Sequence, residues 1–174
     1  MVGSVQKNDS SSHNAKVREL SRASDLRDAI KNELSSTFSN VVVRSSVDPT
    51  FDFESSATNE FCVWLVSRQI EALQGASRRR VSVNITFAGH GSLSQAITES
   101  SRQVESLAVA DAFDGIIETA IGLFSPNGTF FRGVHCGHRF ESIEQPEFFD
   151  VELWRTSQIW QSQLIVNFLD ILDE

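Results

Sequence analysis

The sequence contains no tyrosine, although it has 13 phenylalanines and 3 tryptophans among its 174 residues. The phenylalanine ring carries no polar group, so these side chains are expected in the core or on an apolar contact surface. Protein interfaces usually favour tyrosine and tryptophan. A contact surface here must therefore rely on phenylalanine and on Trp64, Trp154 and Trp160.

Cysteines and long apolar runs are also scarce. Two cysteines, Cys62 and Cys136, are too few for the disulfide framework of a small secreted protein. No run approaches the ~18 apolar residues that a membrane-spanning helix needs, and the first residues lack the apolar core of a signal peptide. We therefore expect a cytoplasmic protein in a reducing environment.

Basic residues are few in the second part of the chain. The net charge is −8, but residues 1–80 hold 11 basic and 10 acidic side chains, whereas residues 81–174 hold 4 and 13. An acidic half disfavours binding to nucleic acid or directly to a membrane, and it favours basic partners. The asymmetry also allows head-to-tail self-association between the more basic half of one copy and the acidic half of the next.

The order of polar and apolar residues predicts one folded domain behind a polar leader. Residues 1–14 are nearly free of apolar side chains, so we expect a disordered leader followed by a single domain over 15–174. Apolar residues at steps of three and four predict helices over 15–38 and around 107–123, and a closing helix from Ser157.

Strands are predicted between these helices. Strict alternation over 81–87 predicts one strand, and shorter apolar or β-branched runs predict others near 41–48 and 130–140. The continuous apolar run over 61–66 fits a buried strand, but it could also begin a helix that continues through Ile70 and Leu73. Asn127-Gly128 is a hairpin signal. The fold class predicted is α+β: a single domain with a largely antiparallel sheet and N-terminal, central and C-terminal helices.

The segment from His135 to His138 contains the most chemically capable residues. Imidazole and thiolate are ligands for zinc, so His135, Cys136 and His138 are the candidate metal ligands. In a regular strand Cys136 and His138 would share one face and His135 would not, unless Gly137 bends the chain. No second Cys/His pair completes the site, so the sequence favours a strand with incidental polar groups and no cofactor. A nucleophilic cysteine with His90 or His138 as its base is a further alternative.

Two charged runs have ordinary explanations. Arg78-Arg79-Arg80 could contact phosphate, but in an acidic protein such a cluster is more often a solvated loop or a set of partners for nearby carboxylates. The acidic run over 141–152 lacks the spacing of a calcium-binding loop and is interpreted as a solvated edge.

The C-terminal segment is more apolar than one buried helix face requires. As a helix it would either pack on its own domain or dock in the groove of a partner. The candidate partner-binding residues share its predicted apolar stripe. They are Trp160, Leu164, Ile165, Phe168, Leu169 and Leu172.

These observations rank three classes of function. The first is a non-enzymatic interaction or assembly protein that binds itself or a protein partner, for instance a viral structural protein of matrix type or an accessory protein. The alternative is a small metal-binding protein or enzyme that uses the segment from His135 to His138. Nucleic-acid binding through the arginines ranks last because of the acidic charge.

Overall fold

The protein folds into a mixed α+β domain with a largely antiparallel sheet, as the sequence predicted, and the sheet has five strands. The computed structural model describes residues 10–46, 59–73, 76–91, 99–147 and 149–171. The elements are α1 (Ser10–Thr37), β1 (Val42–Ser45), β2 (Glu60–Leu73), β3 (Ala76–His90), α2 (Glu99–Gly122), β4 (His138–Glu147), α3 (Val151–Ser157) and β5 (Ile159–Asp170). The strand order is β1-β2-β3-β5-β4, with β1 and β2 parallel and every other neighbouring pair antiparallel.

The first helix begins earlier than its apolar pattern indicated. It starts at Ser10, so residues 10–14 belong to α1 and not to the predicted leader, whose residues 1–9 lie outside the described part. Serine, histidine and asparagine side chains do not prevent a helix; they only lack the apolar stripe from which its start was predicted. Among the helices described, none is both long and apolar enough to cross a bilayer.

Strand β3 is the centre of the sheet and follows the alternation that predicted it. Val83, Ile85 and Phe87 are buried on the face that the helices cover, where Phe87 contacts Phe113 of α2 at a ring-centroid distance of 5.7 Å. The intervening Asn84 and Thr86 lie on the opposite, polar face and are also buried. At its two edges β3 pairs with β2 and with β5 along most of its length, so it is an interior strand of the sheet.

The predicted closing helix is wrong, because residues 159–170 form the strand β5. Its residues Trp160, Leu164 and Phe168 recur every fourth position, and a step of four fits a helix face as well as a period of two. The β-branched and aromatic content of this segment favours a strand. Hydrogen bonds to β3 on one side and to β4 on the other hold residues 159–170 in a strand.

A short capped helix, α3, ends at Ser157, where the predicted closing helix was expected to begin. The carboxylate of Asp150 accepts a hydrogen bond from the backbone N–H of Leu153 at 2.9 Å, which caps the start of α3. At the other end Gln158 adopts a left-handed conformation (φ 56°), and its N–H donates to the carbonyl of Trp154. This left-handed residue ends the helix, and β5 starts at the next position.

The stretch between α2 and β4 is a compact turn region without the predicted hairpin. Gly128 N–H donates to the carbonyl of Ser125 at 2.7 Å, which closes a turn, but no described strand flanks it. Phe130 instead folds back to stack on Phe124, with ring centroids 5.4 Å apart. The strand predicted near 130–140 begins at His138 and continues through the acidic segment to Glu147.

Aromatic rings fill the space between the helices and the sheet. Phe38 of α1 contacts Phe61 of β2, and Phe61 contacts Phe87 of β3. Phe124, which follows α2, contacts Phe168 of β5. The absence of tyrosine is consistent with this interior, since buried hydroxyl groups would require hydrogen-bond partners there.

Candidate interaction surface

The segment from His135 to His138 is a tight turn and not a regular strand. The backbone N–H of His135 donates to the carbonyl of His138 at 2.7 Å, and the N–H of His138 donates to the carbonyl of His135 at 2.9 Å. Cys136 (φ 52°) and Gly137 (φ 79°) are the two central residues. Positive φ at both positions is the signature of a type I′ turn. A side chain at Gly137 would in addition collide with the guanidinium group of Arg22 on α1.

This turn separates the predicted metal ligands. His138 is buried and its Nδ1 donates to the carbonyl of Cys136 at 2.9 Å, whereas Nε2 of His135 contacts the carbonyl of Arg132 at 3.1 Å. The Cys136 residue is exposed at the tip of the turn. Among the residues that the structure describes, no group of three His, Cys, Asp or Glu side chains is placed to hold a metal ion.

The thiol of Cys136 is also poorly suited to act as a nucleophile. Partial burial of its sulfur, and then the carboxylate of Asp25, raise the pKa of Cys136 above the ordinary thiol value. Reactive cysteines require the opposite shift, because the thiolate is the attacking species. The pKa of Cys136 is therefore shifted in the direction that disfavours nucleophilic use.

The remaining candidates for a catalytic group lie far from this turn. His90 pairs with Ile159 at the start of β5, whereas His138 pairs with Asp170 at its end. Eleven steps along a strand correspond to about 36 Å. Cys62 is fully buried in β2 opposite Thr86. The structure thus does not bring His90, Cys136 and His138 into one pocket.

The predicted partner-binding stripe is interior to the domain. Trp160, Leu164, Phe168 and Leu169 are buried, Ile165 is half-buried, and Leu172 lies outside the described residues. These side chains belong to the core strand β5, so they cannot form an exposed docking helix in this fold. Their burial corresponds to the alternative in which the segment packs on its own domain.

Arg80, the last of the three consecutive arginines, forms an ion pair with a carboxylate. Arg80 Nε lies 2.6 Å from Glu141 Oε2 and its Nη2 lies 3.1 Å from Glu141 Oε1, a two-pronged ion pair between β3 and β4. Bidentate ion pairs of this kind fix the relative orientation of the two side chains in addition to pairing their charges. Part of the predicted acidic edge thus has a structural role in the sheet.

The two most exposed large apolar residues of the described ranges lie instead on α2. Within the described part of α2 before Phe113, no side chain is buried. Val104 is 68% exposed and Leu107 is 59% exposed, the two highest values among the exposed large hydrophobic residues. Ala108 and Asp111 are exposed beside them. We call these four residues the α2 outer face.

The outer face points away from the side of α2 that packs on the domain. Phe113, Ile117 and Ala120 are buried and mark that packed side. At 100° per residue, Val104 lies about 180° and Leu107 about 120° around the helix from Phe113. Their exposure therefore follows from their positions on the helix, and no further packing of α2 on the sheet could bury them.

The sequence contains a signal for this surface that a single apolar stripe does not reveal. A helix that packs with one side normally keeps large apolar residues off the other. Val104 and Leu107 break that pattern, and they can be recognised once Phe113, Ile117 and Ala120 are taken as the buried stripe.

No known protein family matches this sequence, and no curated protein matches it either.

Proposed function

We propose that this protein is a non-enzymatic assembly protein that self-associates through the α2 outer face. The observation that carries the proposal is the exposure of Val104 and Leu107 on the side of α2 that faces away from its own domain. Grouped exposed apolar side chains mark interaction sites, whereas single ones are ordinary.

The energetics support a contact of modest strength. Burying one valine or leucine side chain is worth about 1.5–3 kcal/mol before the costs of association are subtracted. Two such residues with alanine beside them and an acidic rim at Asp111 have the composition of a small interface core with a polar margin. A contact of this kind becomes effective when many copies assemble.

The chemistry of the domain favours the same class of function. The described residues contain no group placed to hold a metal, and the pKa of Cys136 is shifted away from nucleophilic use. A viral structural protein of matrix type, or an accessory protein, is one form that such an assembly protein takes.

Replacing Leu107 with glutamate is expected to weaken self-association at least tenfold, because it places a charge where an apolar contact forms. A tenfold change corresponds to about 1.4 kcal/mol, which is less than the burial of one leucine provides. Sedimentation velocity over a hundredfold range of protein concentration measures the strength of self-association. The matched control is Val151→Glu, since Val151 is also an exposed apolar residue on a helix (45% exposed) but lies on α3.

Wild-type protein and the Val151→Glu variant are expected to show the same concentration-dependent increase in sedimentation coefficient. A wild-type protein that stays monomeric over the whole range would contradict the proposal. Equal weakening by both substitutions would show that the added charge, and not the α2 outer face, is responsible.

A further inference from the structure

We infer that the α2 outer face of one copy binds a second exposed patch, formed by Phe131, Arg132 and Val134, on the next copy. This inference rests on the proposed self-association and names its contact. We call these three residues the 131–134 patch. Phe131 is 38% exposed and Val134 is 56% exposed, and Arg132 is exposed between them. In the described part of the chain, no other segment outside α2 contains two exposed large hydrophobic residues so close together.

The 131–134 patch belongs to the folded turn region that follows α2. The ring of Phe131 contacts Phe140 of β4 at a centroid distance of 5.8 Å. The carbonyl of Arg132 contacts Nε2 of His135 at 3.1 Å, and the His135 ring packs against the buried Phe130 at 5.0 Å. These contacts hold the segment in place before any partner binds, which reduces the entropy lost on association.

The 131–134 patch and the α2 outer face lie at opposite ends of α2. Phe131 N–H donates to the carbonyl of Gly128 at 3.4 Å, and Gly128 lies against the carbonyl of Gly122, the last residue of α2. Val104 and Leu107 are about 27 and 22 Å before Gly122 along the helix axis. A contact between the two surfaces therefore requires two copies of the chain.

The two surfaces carry opposite charge. Residues 103–130 contain four acidic side chains and no lysine or arginine, and Asp111 is exposed on the α2 outer face. Residues 131–140 contain two arginines and no acidic residue. Both Arg132 and Arg139 are exposed, and neither forms an ion pair with a carboxylate of the described residues. Opposite charges on two apolar surfaces favour their encounter and fix their relative orientation.

Other self-contacts of the α2 outer face fit the charges less well. An α2–α2 contact would place Asp111 of both copies together, and like charges oppose such a contact. Val151 lies between Asp150 and Glu152, so its surroundings carry the same sign of charge as α2. Val42 is the single exposed large hydrophobic residue of β1, and such single residues are ordinary on protein surfaces.

A contact between two different surfaces of the same domain is heterologous, and it repeats. Each copy that binds through its α2 outer face still offers its own 131–134 patch to another copy. Such an interface produces a closed ring or an open filament, depending on the rotation between copies.

Charge reversal followed by sedimentation velocity tests the contact. Arg132→Glu is expected to weaken self-association about tenfold, because it places a like charge opposite Asp111. Asp111→Arg is expected to weaken it about as much, because it places a like charge opposite Arg132. A chain that carries both substitutions restores the attraction with its signs exchanged, so it should self-associate within about threefold of wild type.

The matched control is Arg155→Glu, which makes the same change in net charge on α3. Arg155 is exposed and lies outside both surfaces, so this substitution should leave self-association at the wild-type strength. Arg132, Asp111 and Arg155 are all exposed, and each variant should therefore unfold thermally within a few degrees of wild type.

The outcomes separate this inference from the proposed function. If Leu107→Glu weakens self-association but Arg132→Glu behaves like Arg155→Glu, the 131–134 patch is not the occupant, although the α2 outer face still mediates assembly. Weakening by both single reversals without recovery in the double variant would also overturn this contact. Sedimentation of wild type as a monomer at every concentration would instead contradict the proposed function itself.

Discussion

Replacing Phe168 with alanine is expected to lower the free energy of unfolding by about 3–5 kcal/mol, the usual cost of removing a buried phenylalanine. Phe168 is fully buried in β5, and its ring contacts Phe124 and Phe140 at centroid distances of 6.4 and 6.1 Å. A loss of this size is a large fraction of the 5–15 kcal/mol that stabilises a typical domain. Urea unfolding followed by circular dichroism measures it.

Leu107→Ala is the control for this prediction. Leu107 is 59% exposed, so its truncation in the monomer should change the unfolding free energy by no more than about 0.5 kcal/mol. A comparison of the two substitutions shows whether Phe168 lies in the core and Leu107 on the surface. If Phe168→Ala costs no more than Leu107→Ala, the C-terminal segment is not the core strand described here.

Gly128→Ala is expected to destabilise the domain by about 1–3 kcal/mol or more, which is the range for overpacked sites. A Cβ atom at this position would collide with the backbone carbonyl oxygens of Gly122 and Leu123. Backbone atoms cannot rotate away as a side chain can. The turn that returns the chain from α2 to Phe130 would therefore have to shift, which would disturb the contact of Phe130 with Phe124.

Gly115→Ala is expected to have the opposite effect and to stabilise the domain. Gly115 is exposed within α2, and a Cβ atom there would meet nothing within 4 Å. Alanine in a helix interior is more stable than glycine by about 0.5–1 kcal/mol. Thermal unfolding should therefore show a higher midpoint for Gly115→Ala and a lower one for Gly128→Ala. Equal effects of the two substitutions would contradict the assigned geometry of the turn.

The elements with an unambiguous period could be predicted from the sequence. The alternation of apolar and polar residues over 81–87 identified the core of β3. The apolar residues spaced three and four apart before residue 38 identified α1. The α+β class followed from the order of these elements. Local patterns are sufficient where one period fits the residues and the other does not.

The C-terminal strand could not be predicted from its local pattern. Trp160, Leu164 and Phe168 fit the period of a helix and that of a strand. The residue that conflicts with a strand is Ser162, because its polar side chain falls on the apolar face of the strand, where it is fully buried. Its Oγ accepts a hydrogen bond from Gln145 Nε2 of β4 at 3.2 Å. That partner comes from a different strand, so only the tertiary arrangement reveals why serine is tolerated there.

The geometry of the candidate metal segment was also beyond the sequence. A regular strand would have placed Cys136 and His138 on one face, but the left-handed conformations of Cys136 and Gly137 turn the chain within two residues. Glycine at 137 allowed this possibility, yet a non-glycine residue at positive φ before it is uncommon and could not be assumed.

Hydrogen exchange of the backbone amides tests most directly whether assembly uses the α2 outer face. Exchange is compared residue by residue in dilute and concentrated protein, since association suppresses local opening at the contact. Slower exchange over residues 100–112 of α2 in the concentrated sample, with β5 equally protected in both, is the predicted result. Unchanged exchange in α2, while the concentrated protein forms oligomers protected elsewhere, would contradict it.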